Sequence, residues 1–340
     1  MKTRPCGDIL VLTVMALVLA GPASAQPRLA DGTPDLQGVW DFRTLTPLQR
    51  PNDQVAAQLT AEEAAEVEAS AVQRAIEADR PSEVRSEPLP VGGNVGGYNN
   101  YWFDRGAGVV DDRRTALIVD PSDGRVPATQ ADVVRQGGDS PEPAVQERPV
   151  RFRVDGIGSD GPEDRGLAER CLLGFNTGPP IVPGGYNQNI QIFQTSDHVV
   201  ILNEMVHDSR IVPLDGRSSL PDDLRQWMGS SRGRWEGDTL VVETTNFTNN
   251  TASFSPSVRS SIGSGATLHL IERFSRVDDE TLLYEFTVND AASFTQPFTA
   301  ALPMKRGLAP MFEYACHEGN YGMQNLLAGA RMEELTSSEQ

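Results

Sequence analysis

The chain of 340 residues has almost no lysine, few cysteines and no long hydrophobic segment. Lys2 and Lys305 are its only lysines, so Schiff-base or pyridoxal chemistry would depend on Lys305 alone, and we set that class aside. Acidic residues outnumber basic ones by 47 to 29, which gives a net charge of −18. This charge disfavours nucleic acid and anionic membrane surfaces as partners, because both attract clustered lysine and arginine.

Redox motifs are also missing from the chain. It has no Gly-x-Gly-x-x-Gly fingerprint for a dinucleotide and no cysteine spacing typical of haem or iron–sulfur sites. These absences weaken the case for redox chemistry, although a cofactor held by shape alone leaves no such motif. We therefore expect no cofactor.

The longest apolar run lies near the N-terminus and predicts a secretory signal. Two basic residues precede the apolar stretch 9–20, and residues 23–25, Ala-Ser-Ala, provide the small side chains that signal peptidase recognises. A spanning helix needs about 20 apolar residues, more than this stretch contains. We expect residues 1–25 to be a signal peptide, the protein to be periplasmic or secreted, and no membrane insertion.

Cleavage of this signal would leave two cysteines, Cys171 and Cys316. In an oxidising compartment such a pair tends to form a disulfide, which is our prediction. Two alternatives stay open: separate cysteines that pack as small apolar residues, or a thiol nucleophile beside His317.

The rest of the chain has the pattern of a mainly β protein. A capping box, Thr60 to Glu63, begins a peripheral Ala- and Glu-rich helix that runs to about Asp79. Asn320 is a candidate N-cap for a C-terminal helix, 321–335, that could cover one end of the fold. Between them, turn residues separate alternating runs of apolar and polar side chains. The predicted strands are 189–194, 198–205, 210–214, 233–236, 239–247, 267–277, 281–289, 298–305 and 311–315.

Short links between successive strands predict an antiparallel meander that closes into a barrel, because closure removes exposed strand edges. We expect an N-terminal extension at 26–150 with a first strand, a helix and loops. The barrel-like domain with its C-terminal helix is expected at 151–335, forming one domain with part of 31–120.

Three motifs carry a resemblance to known proteins. They are Asn-Glu-Met-Val-His-Asp-Ser-Arg at 203–210, Arg-Gly-Arg-Trp-Glu-Gly-Asp-Thr-Leu at 232–240 and Tyr-Ala-Cys-His-Glu-Gly-Asn-Tyr at 314–321. Over residues 31–334 the chain is similar to a large family of secreted bacterial proteins of unassigned function. Gly38-Val39-Trp40 at the first strand also resembles lipocalin-like (calycin) barrels. The resemblance implies a fold and a compartment but no reaction.

Two catalytic templates fit poorly. Residues 229–233 have the Gly-x-Ser-x-Gly spelling of a serine hydrolase, but a strand follows the serine where the template needs a helix. None of the four histidines has the spacing of a local metal motif. A metal held by His207, His317 and Glu243 from separate strands stays an open alternative.

Acid–base chemistry fits the chain better. Polar residues occupy both faces of strands 198–205 and 239–247, where an ordinary barrel would carry valine and leucine. Buried charges are unfavourable unless they are paired. Such residues therefore form either a structural hydrogen-bond network or a site that binds or processes a molecule. The candidate catalytic residues are His317, Glu318, Glu243 and His207. The candidate substrate-binding residues are Arg210, Arg234, Asn246 and Trp235.

We therefore expect a non-redox enzyme of the lyase, isomerase, cyclase or hydrolase type. Its His/Glu cluster would act on a small, partly apolar or hydroxylated molecule in a barrel pocket. The alternatives are a periplasmic binding or carrier barrel without catalysis and a structural module without a pocket. The sequence leaves the substrate and the oligomeric state open.

Overall fold

The structure, a computed structural model, describes residues 26–80, 103–137, 159–257, 260–307 and 310–338, so the predicted signal at 1–25 lies outside the described residues. The described ranges contain two α-helices, α1 (Ala61–Ala78) and α2 (Tyr321–Ser338). The strands are β1 (Gly38–Asp41), β2 (Ile118–Asp120), β3 (Arg135–Gly137), β4 (Asn189–Gln194), β5 (His198–Asn203), β6 (Ser209–Pro213), β7 (Ser230–Glu236), β8 (Thr239–Thr245), β9 (Phe254–Ser257), β10 (Ser260–Ile262), β11 (His269–Arg276), β12 (Thr281–Asn289) and β13 (Phe298–Arg306).

The main sheet is antiparallel and nearly closed into a barrel, as predicted. Its strand order is β6-β5-β4-β1-β13-β12-β11-β8-β7, with β2 also paired to β13. The two ends, β6 and β7, lie close together: a Cβ added to Gly233 would be 2.6 Å from Leu214 Cδ2 and 2.9 Å from Val212 Cγ1. Glycine at position 233 thus lets the sheet approach closure. A separate small sheet has the order β3-β10-β9.

The barrel interior is a packed core. On β12, Leu282, Tyr284, Phe286 and Val288 are all buried, which confirms the inward face predicted from alternation. Their neighbours include Trp40 of β1 and apolar residues of β4, β5, β8, β11 and β13. The barrel is therefore filled by side chains rather than hollow, as in other small barrels.

One charged pair lies inside this core. Arg210 of β6 donates two hydrogen bonds to the Glu272 carboxylate of β11, and Tyr284 donates a third at 2.8 Å. The backbone amide of Ile181 donates to the Tyr284 hydroxyl at 3.0 Å. Because the negative and positive charges balance and each is hydrogen-bonded, the pair is accommodated in an apolar interior.

The helices are only partly as expected. The Thr60–Glu63 capping box is confirmed, with hydrogen bonds of 3.1 and 2.8 Å, and α1 is peripheral, burying only Ala64. Asn320 caps α2 by accepting a hydrogen bond from Met323 N at 3.3 Å. None of the residues of α2 is buried, however, so it does not seal an end of the barrel. Neither helix is long and apolar enough to cross a membrane.

One predicted strand is wrong. Residues 311–315 form no strand, because β13 already has β12 on one side and β1 and β2 on the other. A further strand would have no free edge there. The rejection of the serine-hydrolase template is supported, since Ser231 lies within β7 and exchanges a hydrogen bond with Thr244.

Candidate functional site

A strained turn follows β5 and positions the first part of the site. Val206 has φ +60° and His207 has φ +43°, both in the left-handed region. This region is unfavourable for a branched residue such as valine, and such strain is concentrated at functional sites. The turn leaves His207 exposed and places the half-buried Asp208 directly before β6.

The Asp208 carboxyl has an unusual environment. Burial raises its pKa from 3.8 to about 6, although the backbone amide of Gly174 and the imidazoles of His207 and His317, when protonated, act in the opposite direction. Within the described ranges, Asp208 Oδ2 is buried without a hydrogen-bond partner, and so is Asn203 Oδ1. Unsatisfied buried oxygens are rare in folded proteins, so each of them needs an explanation.

A second glycine is needed for this arrangement. A Cβ on Gly174 would lie 2.6 Å from both Met205 Cγ and Thr177 Cγ2. Only glycine lets the backbone approach the turn closely enough for its amide to reach Asp208.

Two imidazoles flank the carboxyl, each oriented by a backbone carbonyl. His207 Nδ1 lies 3.1 Å from the Tyr314 oxygen, and His317 Nε2 lies 2.8 Å from the Cys171 oxygen. Because a carbonyl only accepts, both of these nitrogens carry the proton. His207 Nε2 and His317 Nδ1 are left as proton-accepting positions on exposed side chains.

A disulfide fixes one of these imidazoles. Cys171 and Cys316 are bonded, with Cα atoms 5.7 Å apart, as predicted from the sequence. The neighbouring Asn320 donates to the Glu169 carbonyl at 2.8 Å, which adds a second tie between the same two segments. His317 is thereby placed near Asp208, although the two residues are far apart in sequence.

An open groove of about 860 Å³ is linked to this cluster through neighbouring residues, although His207, Asp208 and His317 are not in its lining. Its aromatic wall contains Phe103, Phe175 and Tyr186, with Tyr186 edge-on to the other two rings at centroid distances of 6.2 and 5.1 Å. Tyr186 also stacks on Tyr314 at 6.5 Å, and the Tyr314 carbonyl holds His207. The groove and the Asp208 cluster are thus connected through one layer of aromatic side chains. Its volume is within the range of small-molecule sites.

The structure does not bring Glu243 to His317. Glu243 lies on the outer face of β8, where Arg234 bonds one oxygen at 2.5 Å and His269 lies 3.2 Å from the other. The hydrogen bond from Arg234 is the main cause that lowers the pKa of Glu243. Arg234 also pairs with Glu236, so these residues form an exposed charge ladder on the barrel wall.

The other predicted residues are placed as follows. Arg210 is buried against Glu272, so its guanidinium is taken up by an internal ion pair. Asn246, at φ +58°, donates to the carbonyls of Leu220, Pro221 and Leu224, which is the pattern of a turn-stabilising residue. Trp235 packs on the barrel core. Glu318 is exposed in the loop that carries His317.

The metal site that the sequence left open as an alternative does not form among the described residues. In the part of the chain that the structure describes, no group of three or more His, Cys, Asp or Glu side chains is arranged to hold a metal ion. Glu243 is engaged on the barrel wall, whereas His207 and His317 lie near Asp208.

The residues predicted from the sequence did not include Asp208, Phe103, Phe175 or Tyr186. For Asp208 a signal was present, since it directly follows a histidine and precedes a polar pair in the motif at 203–210. The three aromatic residues lie in irregular segments between strands, where periodicity gives no prediction of neighbours.

Comparison with known proteins identifies no relative of the chain. It matches no family model, and neither the curated proteins nor the solved structures contain a significant match. Evidence for the function therefore comes from the geometry of the site itself.

Proposed function

We propose that the protein is a periplasmic or secreted acid–base enzyme of the lyase, isomerase, cyclase or hydrolase type. The observation that carries the proposal is the cluster of two exposed imidazoles near a half-buried carboxyl whose pKa is raised to about 6. Titratable groups with strongly shifted pKa values beside a cleft are typical of active sites.

The residues have distinct roles in this proposal. His317 exchanges a proton with the substrate through Nδ1, because its Nε2 is held by the Cys171 carbonyl. Asp208 is the positioning carboxylate, since its charge stabilises a protonated imidazole nearby. His207 is the second imidazole and provides a route for the proton to or from solvent. Glu243 and Glu318 have no part in this scheme.

The body of the substrate would occupy the neighbouring groove rather than the barrel interior, with its reacting group extending beyond the groove lining to His317. The interior is filled by the core, whereas the groove has an aromatic wall connected to His207 through Tyr186 and Tyr314. A small, partly apolar or hydroxylated molecule fits such a wall.

Solvent-deuterium labelling tests the proposal while the substrate is still unidentified. The protein is incubated in D2O with a panel of small hydroxy acids, keto acids, lactones and esters, and products and deuterium incorporation are followed by mass spectrometry. Acid–base catalysis predicts conversion or exchange of at least one compound. We expect a loss of about 100-fold or more in His317→Gln, since general acid–base catalysis typically contributes 10²–10⁴-fold.

The matched control is His269→Gln, a histidine on the outer barrel wall that bonds Glu243. It should leave the rate unchanged. Conversion that is equally fast in His317→Gln and the wild type would contradict the proposed site. Binding of panel members without any conversion would support the second candidate, a carrier, which the aromatic character of the groove wall favours.

A further inference from the structure

The two charged side chains that line the groove differ in whether they are paired with an opposite charge. Arg105 and Glu169 are its charged lining residues. Glu169 is neutralised by Arg165, whose guanidinium donates to both carboxylate oxygens at 2.9 and 3.3 Å. Arg105 has no carboxylate partner in the described ranges; its guanidinium lies over the Phe103 ring, 4.3 Å from the centroid.

Arg105 is one of several described arginines without a carboxylate partner, such as Arg50 and Arg225, but it is the arginine that lines this groove. Near the groove, Arg43 is paired with both Asp41 and Asp104. Arg105, in contrast, lines the groove without a carboxylate partner in the described ranges. A planar guanidinium binds a carboxylate through two parallel hydrogen bonds.

A second polar group in the groove also lacks a partner. Ser255 of β9 is 3% exposed and lines the groove, and within the described ranges its hydroxyl makes no hydrogen bond. A buried hydroxyl without a hydrogen-bond partner is unfavourable. A ligand with a hydroxyl or carbonyl group at this point would satisfy it.

We infer that the groove binds a planar, apolar carboxylic acid. Its carboxylate would pair with Arg105, its flat body would lie on the wall of Phe103, Phe175 and Tyr186, and a hydroxyl or carbonyl group would reach Ser255. Aromatic side chains favour offset or edge-on contact with a second flat ring. The identification of this acid as a substrate rests on the proposed function, whereas its binding does not.

Binding of 2-naphthoate and its uncharged analogue 2-naphthamide tests the charge preference by calorimetry. Wild type should bind the acid about tenfold or more tightly than the amide, because a hydrogen bond to a charged group contributes more than a neutral one. Arg105→Met keeps an extended side chain over Phe103 and should abolish the preference. Arg105→Lys should retain part of it.

Arg74→Met is the matched control. Arg74 lines a neighbouring groove of about 450 Å³ that shares Phe103 and Arg105 with the larger one. It should leave 2-naphthoate affinity unchanged. Equal affinity for acid and amide in wild type, absent binding of both, or a preference that persists in Arg105→Met would overturn the inference.

The serine has its own test with 6-hydroxy-2-naphthoate. This compound should bind more tightly than 2-naphthoate in wild type, and Ser255→Ala should remove the gain while leaving 2-naphthoate affinity unchanged. A gain that survives in Ser255→Ala would overturn the contribution of the serine.

The failure of the inference is distinguishable from that of the proposed function. His317→Gln should leave 2-naphthoate affinity unchanged, since the inferred carboxylate contact is Arg105. If acid binding depends on Arg105 but no compound is converted, the carboxylic-acid ligand class is supported and the proposed enzyme function is contradicted. If conversion depends on His317 but uncharged compounds bind as tightly as acids, the carboxylic-acid ligand class is contradicted instead.

Discussion

Replacement of Asp208 by asparagine should make the protein more stable at pH 8. The carboxyl has a pKa of about 6 in the folded chain against 3.8 ordinarily, and burial is the main cause. In the folded chain its ionised form is therefore disfavoured, and stability falls as the pH rises from about 3.8 to 6. Asparagine preserves the shape and the acceptor for the Gly174 amide but has no charge to bury.

The expected gain in the free energy of unfolding follows from the two pKa values of Asp208. Their difference corresponds to about 3 kcal/mol at a pH where the carboxyl is ionised in both the folded and the unfolded chain. Because the side chain is only partly buried, solvent screening reduces the expected gain to about 2 kcal/mol. At pH 4 the folded carboxyl is protonated, so the gain should fall below about 1 kcal/mol.

Urea denaturation of wild type and Asp208→Asn at pH 4 and pH 8 measures this difference. Asp215→Asn is the matched control, because Asp215 is paired with Arg217 and its pKa is lowered to about 2. That variant should show no gain at pH 8. The proposed effect of burial is refuted if Asp208→Asn is less stable than wild type at pH 8, or if its gain in stability is the same at both pH values. Either result would show that burial does not raise the pKa of Asp208.

Further predictions concern the internal ion pair and the disulfide. Glu272→Ala should destabilise the fold by about 3–5 kcal/mol in urea titrations, because it leaves Arg210 buried without its partner. A loss of stability below about 1 kcal/mol would contradict burial of the pair. Tyr284→Phe should cost about 1–2 kcal/mol in the same assay, since it removes two buried hydrogen bonds, and an unchanged midpoint would contradict this. Thiol labelling of the denatured, unreduced protein should detect no free thiol at Cys171 or Cys316, whereas two reactive thiols per chain would contradict the disulfide.

Strands with regular alternation were predictable from the sequence. The bounds 189–194 and 281–289 agree with β4 and β12, because their apolar residues repeat every second position and turn residues flank them. The position of β1 between β4 and β13 was not predictable. It depends on pairing between distant segments, for which a single sequence contains no periodic signal.

The site was predictable only in part. His317 was selected from the sequence, but its expected partner Glu243 lies on the outer face of β8, and alternation left both faces of that strand open. Asp208 lies near His317 because a disulfide and the hydrogen bond from Asn320 tie the segments around Cys171 and His317 together. Contacts between loops depend on the closed fold, so local patterns do not predict them.

The most direct test of the acid–base cluster is the titration of the Asp208 carboxyl by 13C NMR. In protein labelled with [γ-13C]aspartate, its resonance is the one missing from Asp208→Asn. We predict a midpoint of about pH 6 in wild type and a higher midpoint in His317→Gln, because the positive charge of His317 lowers the pKa of Asp208. A midpoint near or below pH 4, or one unchanged in His317→Gln, would contradict the proposed acid–base cluster.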